Sequence, residues 1–200
     1  MTYRLLLMFA VLSCTTSLAF GQFQAYSDAT GNTGSQDFGG TLGMDFVATS
    51  DITISQIGVF DNINFAGGAA GPSKPIYAEI WTDGGATGNL IARQIFTPAS
   101  PGSASSGYLM NTLNKPLTLA AGNYTIVAHG LSNPDSLGNV GTGSPPALLN
   151  TGGGLLTFGG NQFGTVPGAY PGSGDGPPAG RYPAGSFIFD AAAEPIAAAP

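Results

Sequence analysis

The chain has 200 residues, room for one domain of ordinary size plus a processed segment, which excludes a multidomain enzyme. Its 32 Gly and 15 Pro approach a low-complexity composition, yet 42% hydrophobic and only 8% charged residues exclude a chain held unfolded by its charge, so the Gly and Pro belong mostly in turns. A formal net charge of −6 argues against nucleic acid and anionic membrane surfaces as partners, because both require clustered Lys and Arg.

Met1 to Arg4 form a short basic stretch, Leu5 to Leu12 an apolar core, and Cys14 to Ala19 a more polar run ending in small residues. This is the pattern of a secretory signal peptide, expected over residues 1 to 21, with cleavage after Ala19 or, preferred, after Gly21. The apolar core is far shorter than the ~20 residues that span a bilayer, so no transmembrane helix is expected in the mature chain. Val11-Leu12-Ser13-Cys14 loosely resembles a bacterial lipobox, with Leu12 atypical, and the competing reading is a cysteine inside a discarded signal. Removing residues 1 to 21 leaves four basic residues (Lys74, Arg93, Lys115, Arg181) against eleven acidic ones, a balance of −7, and no cysteine for a disulfide. The expected location is secreted, extracellular or at the cell surface.

From Leu42 onward, short β-type runs alternate with Gly, Pro, Asn and Asp clusters, and no window carries helical spacing. Residues 22 to 190 are therefore expected to form a single all-β domain, an antiparallel β-sandwich or jelly-roll-like fold with a long Gly/Pro-rich loop. The predicted strands are Leu42 to Ala48, Ile52 to Phe60, Ile76 to Thr82, Leu90 to Phe96, Tyr108 to Leu113, Leu117 to Leu119, Tyr124 to His129 and Ser186 to Asp190. In the second, Ile52 and Ile54 are out of phase with Ile57 and Val59, and a bulge near Ser55-Gln56 would return all four to one face. In the third, Ile76, Ala78 and Ile80 face the core while Tyr77, Glu79 and Trp81 face away. Thr82-Asp83-Gly84-Gly85 reads as the start of a hairpin connection to Leu90. Ile54, Ile57, Val59, Ile80, Ile126 and Phe187 are expected to meet between the two sheets.

Leu131 to Gly185 leaves room for one short strand, Leu155 to Phe158. The rest is expected to be a loop laid across a sheet face, pinned by Phe158, Phe163 and Tyr182 and covering part of the Tyr77 and Trp81 surface. Residues 191 to 200 read as a disordered tail.

Two sets of stretches then carry a resemblance. Leu42-Gly43-Met44-Asp45-Phe46, Ile52 to Phe60 and Ala78-Glu79-Ile80-Trp81-Thr82-Asp83 with Leu90-Ile91-Ala92 resemble a secreted β-sandwich domain of unknown function found in bacterial exoproteins. Leu117 to Ala128, Gly138-Asn139-Val140 and Arg181 to Phe187 look like exoproteins bearing a PEP-CTERM sorting tail. The likeness covers roughly residues 38 to 190. It implies a fold and an export route and gives no active site. It departs at Ala193-Glu194-Pro195, which only Ile196 to Pro200 follow, without the apolar helix and basic residues of such tails.

No catalytic residue is expected. The chain has one histidine, His129, at a strand end, where packing at the rim or facing solvent is the ordinary role, and it lacks a Gly-x-Ser-x-Gly elbow. A glycosidase pair would have to join Glu79 to an aspartate such as Asp45. No organic cofactor is expected, and a structural calcium ion is the one metal considered. Asp28 with Asn32, and Asp61-Asn62 with Asn64, place hard oxygens in Gly-rich loops, although such residues are also ordinary turn formers. The candidate ligand-binding residues are Tyr77, Glu79 and Trp81. Two aromatics flanking a carboxylate at period-2 spacing make a platform for a sugar ring, and the competing reading is a Trp81 covered as second-face packing. The expected function is a non-enzymatic exported protein associated with surface, matrix or exopolysaccharide, with a carbohydrate-binding module as the alternative. The expected partners are extracellular polysaccharide or cell-surface components.

Overall fold

The computed structural model describes residues 21 to 28, 33 to 62 and 71 to 193. The signal segment with Cys14, the calcium candidates Asn32 and Asn64, and the tail beyond Ala193 lie outside the described residues.

The strands are β1 (Phe23–Gln24), β2 (Tyr26–Ser27), β3 (Thr41–Ala48), β4 (Ile52–Phe60), β5 (Ile76–Thr82), β6 (Leu90–Phe96), β7 (Ser103–Ser105), β8 (Tyr108–Leu119), β9 (Gly122–His129), β10 (Leu148–Leu149), β11 (Leu156–Gly164), β12 (Ser173–Asp175) and β13 (Gly185–Ala191). The helical content among the described residues is short, and the one named helix is a single 3-10 turn at Val140–Thr142. Two antiparallel sheets pack face to face as a β-sandwich, one ordered β1-β13-β4-β8-β7 and the other β12-β11-β3-β9-β5-β6, with β2 and β10 forming a separate pair.

Alternation decides which side chains fill the space between the sheets. From the six-stranded sheet come Leu42, Met44, Phe46, Ile76, Ala78, Ile80, Tyr124, Ile126 and Ala128, and from the other Ile52, Ile54, Ile57, Val59, Phe187 and Phe189, all in one buried cluster. Phe46 and Phe187 meet across the interface with ring centroids 4.7 Å apart. Each such ring withdrawn from water contributes on the order of 1.5 to 3 kcal/mol. The six residues expected to meet from distant strands are all fully buried in this cluster.

The phase change in β4 is resolved as the apolar pattern demands. Ile188 pairs with Gln56 and Phe189 with Ile54, so Ser55 is the extra residue of a bulge, and Ile52, Ile54, Ile57 and Val59 share the core face. The two runs read as separate strands around Leu113 and Leu117 are one strand, β8. Its register against β4 jumps from Leu117 to Thr112, so the segment containing Pro116 bows out of the ladder without ending it.

The largest departure from the sequence reading is the Leu131 to Gly185 segment. It holds three strands, and β11 runs for nine residues, well past Phe158. Gly159-Gly160 carries a bulge: Phe158 pairs with Phe46 and Asn161 with Met44, so one extra residue is absorbed opposite Asp45. Phe158 and Phe163 consequently pack against the core from within the sandwich, and Tyr182, 5% exposed, joins the same cluster. None of the three lies over Tyr77 and Trp81. Tyr170 packs against Trp81 instead.

Candidate functional site

The outer face of the six-stranded sheet carries the site. Register fixes its rows: Tyr77 stands opposite His129 on one side and Ile95 on the other, Glu79 opposite Val127 and Arg93, and Trp81 opposite Thr125. Because β9 and β6 flank β5, each β5 side chain on this face has a neighbour on both sides.

Glu79 occupies the centre and is fully buried. Trp81 Nε1 donates to its Oε2 at 2.8 Å, Arg93 Nε donates to Oε1 at 2.5 Å, and His129 Nε2 lies 3.4 Å from the same oxygen. Desolvation pushes the carboxyl pKa up. The hydrogen bonds from His129, Trp81 and Arg93, with the Arg93 charge, outweigh that and hold it below the usual glutamate value. Glu79 is thus an ionised anchor for three side chains, which corrects the expectation that it accepts from a ligand's hydroxyls. A carboxylate with no exposed surface cannot reach a sugar.

The two aromatics of the expected platform are also engaged. Tyr77 is stacked on His129, ring centroids 4.5 Å apart and planes 7° from parallel, and Arg93 Cζ stands 5.9 Å from the Tyr77 centroid on the β6 side. Trp81 packs against Tyr170 at 5.9 Å. The Tyr170 hydroxyl donates to Asp83 Oδ1 at 2.7 Å, and burial, followed by that carboxylate, raises it well above the ordinary phenol range. The turn segment before Tyr170 crosses the sheet tied to the Thr41 side chain: Thr41 Oγ1 donates to the Val166 carbonyl at 3.0 Å and accepts from Gly168 N at 3.0 Å. Gly43 lies in a crowded place on this face, where a Cβ would meet Thr125 Cγ2 at 2.7 Å and Val127 Cγ1 at 2.9 Å on β9 and Pro171 Cγ at 3.3 Å. The Trp81 end is therefore covered second-face packing. His129, 9% exposed, is buried under this crossing and does not face solvent.

Beyond Tyr77 the face opens. A groove of about 670 Å³ lies between the crossing segment and the edge of the sheet. Its lining joins Tyr77, His129 and Arg93 from the sheet to Lys74, Ser132 and Pro167-Gly168 from the segments outside it. Lys74 Nζ donates to Ser132 Oγ, and Ser73 donates through N at 2.8 Å and Oγ at 2.7 Å to the buried Asp135, which fixes the lip from which Lys74 projects. Lys74 and Ser132 carried no pattern in the sequence. Their only signal was that Lys74 is one of five basic residues in an acidic chain.

Asp45 shares the outer face with Glu79 but sits in the Trp81 row. It accepts from Thr125 Oγ1 at 2.8 Å and Gln162 Nε2 at 3.1 Å, and the two carboxylates point into separate hydrogen-bond sets. Burial raises its pKa, partly offset by those two donors.

The calcium candidates divide. Asp28 and Asp61, each 3% exposed, lean on the same β7 to β8 turn, with Asp28 N donating to the Ser106 carbonyl at 2.7 Å and Asp61 N to that of Gly107 at 3.1 Å. Asn62 turns elsewhere: its Oδ1 accepts from Gly34 N and its Nδ2 donates to the Pro134 carbonyl at 2.9 Å. Asp28 and Asp61 are thus tied to one turn through their backbone, and Asn62 is a loop tie. Among the described residues no group of three or more His, Cys, Asp or Glu side chains stands together as a metal centre. Also among them, no helix is long and apolar enough to cross a membrane.

No family model matches the chain, and no curated protein matches it.

Proposed function

We propose that this chain is an exported, non-enzymatic β-sandwich that acts by contact at the cell surface or in the surrounding matrix, and that it holds polysaccharide in the groove beside Tyr77. The observation that carries this reading is the groove itself: an open cleft whose lining joins an aromatic pair to polar and cationic side chains, the mixture by which proteins hold hydroxyl-rich ligands. The signal-like first 21 residues and the likeness to PEP-CTERM-type exoproteins support export. The non-enzymatic reading rests on Glu79, which is spent on holding Trp81, Arg93 and His129, and on His129, which is spent on Tyr77.

The test is retention on immobilised polysaccharides by the wild-type protein and by Gly39→Trp. Gly39 lines the groove, and a Cβ there meets nothing within 4 Å, so the indole can enter the cleft without disturbing the fold. Retention that Gly39→Trp abolishes supports the proposal, and retention indifferent to it overturns the placement.

A further inference from the structure

The charge of the groove narrows its ligand. Two of the chain's five basic residues, Lys74 and Arg93, line it, in a protein of net charge −6, and no Asp or Glu does. The carboxylates next to it are withdrawn from solvent: Glu79 is fully buried beneath it, and Asp135, 4% exposed, is taken up by Ser73 behind the lip. The contrast is the cleft lined by Arg181, Tyr182 and Phe163, where Asp175 stands in the lining and pairs with Arg181 at 3.2 Å. A ligand anion there would displace an existing carboxylate.

Arg93 is poised for this role. Its Nε is fixed on Glu79 at 2.5 Å, its Cζ lies by Tyr77, and its side chain remains 42% exposed. Nη1 and Nη2 have no partner among the described residues, leaving the end of the guanidinium fork for a planar bidentate acceptor. Lys74 Nζ keeps donors beyond the one given to Ser132. Stacking is the weaker option in this cleft, because His129 and Arg93 approach Tyr77 from its two sides.

Resting on the polysaccharide reading, we propose that the groove takes an acidic polysaccharide, with the carboxylate of a uronic acid residue held by the Arg93 fork and Lys74 and the sugar hydroxyls left to Ser132 and the Tyr77 edge. Spaced single charges suit two cations. A dense polyphosphate or nucleic acid would meet the surrounding negative charge of the protein.

The experiment is calorimetric titration of the full chain with oligogalacturonate, with its carboxyl-reduced neutral counterpart and with inorganic polyphosphate. The expected result is binding of oligogalacturonate at least about tenfold tighter than of the neutral oligosaccharide, the worth of one hydrogen-bonded charge pair. Lys74→Gln removes most of that preference and Lys74→Arg keeps it. Arg93→Gln removes the preference as well, and because it also strips a partner from Glu79, Lys74→Gln is the variant that decides. Equal binding of acidic and neutral probes, both lost in Gly39→Trp, overturns the charge assignment while leaving the polysaccharide groove standing. Polyphosphate binding as tight as oligogalacturonate overturns the sugar assignment. Binding of no probe overturns this proposal and the reading beneath it together.

Discussion

His129 lies flat on Tyr77, one from β9 and the other from β5, with ring planes 7° from parallel and centroids 4.5 Å apart. The contact converts a strand-end histidine into the inner wall of a groove. It also joins the groove to the buried Glu79, because the Nε2 of the same imidazole reaches that carboxylate at 3.4 Å.

Glu79 should make the protein acid-sensitive in a specific window. Its folded pKa is held below 4.5, so the stability it contributes is fully present above the unfolded value and is lost as pH falls through the lowered folded value. Glu79→Gln is expected to cost about 1 to 3 kcal/mol at neutral pH, the range for hydrogen bonds to a charged group. The difference from wild type should shrink below about pH 4 in urea melts. Asp45 works in the opposite sense: burial raises its folded pKa, so its charge opposes folding increasingly as pH rises through that value, and Asp45→Asn should gain relative stability from pH 3 to pH 7. A Glu79→Gln penalty that is constant with pH would show that folding does not lower the carboxyl's pKa.

Ile80→Ala should cost roughly 2 to 5 kcal/mol, because Ile80 is fully buried between the sheets and its truncation leaves a cavity. Denaturant melts give the number. A loss below about 1 kcal/mol would mean that Ile76, Ala78 and Ile80 do not form the core face of β5.

Tyr170→Ala should uncover Trp81. Trp81 is the sole tryptophan, so its fluorescence reports this contact alone. The variant is expected to show red-shifted emission and stronger quenching by acrylamide, while polysaccharide retention stays unchanged because Trp81 lies outside the groove. Unchanged emission would show that Tyr170 does not cover the indole.

How much of this was legible in the sequence depended on whether a residue's neighbours were local. The Ser55 bulge could be read because four apolar residues out of phase admit one remedy. The core face of β5 could be read because alternation alone assigns it. Glu79 could not, since its place on the outward phase predicts exposure, and two of the three groups that hold it ionised come from β6 and β9, 14 and 50 residues away. The length of β11 was hidden by Gly159-Gly160, a pair that marks a loop in isolation and a bulge when Phe46 and Met44 hold the strand on either side. Tyr170 carried no signal distinguishing it from Phe158, Phe163 and Tyr182 in the same Gly- and Pro-rich stretch. Only the anchoring of residues 166 and 168 on Thr41 directs it to Trp81.

The most direct test of the account is amide chemical-shift mapping of the labelled protein during titration with an acidic oligosaccharide. Shifts are expected to gather at Lys74, Tyr77, Arg93, His129 and Ser132, with Trp81 and Tyr170 unmoved. Shifts centred on Trp81 and Tyr170, or on the cleft at Arg181 and Tyr182, would contradict it.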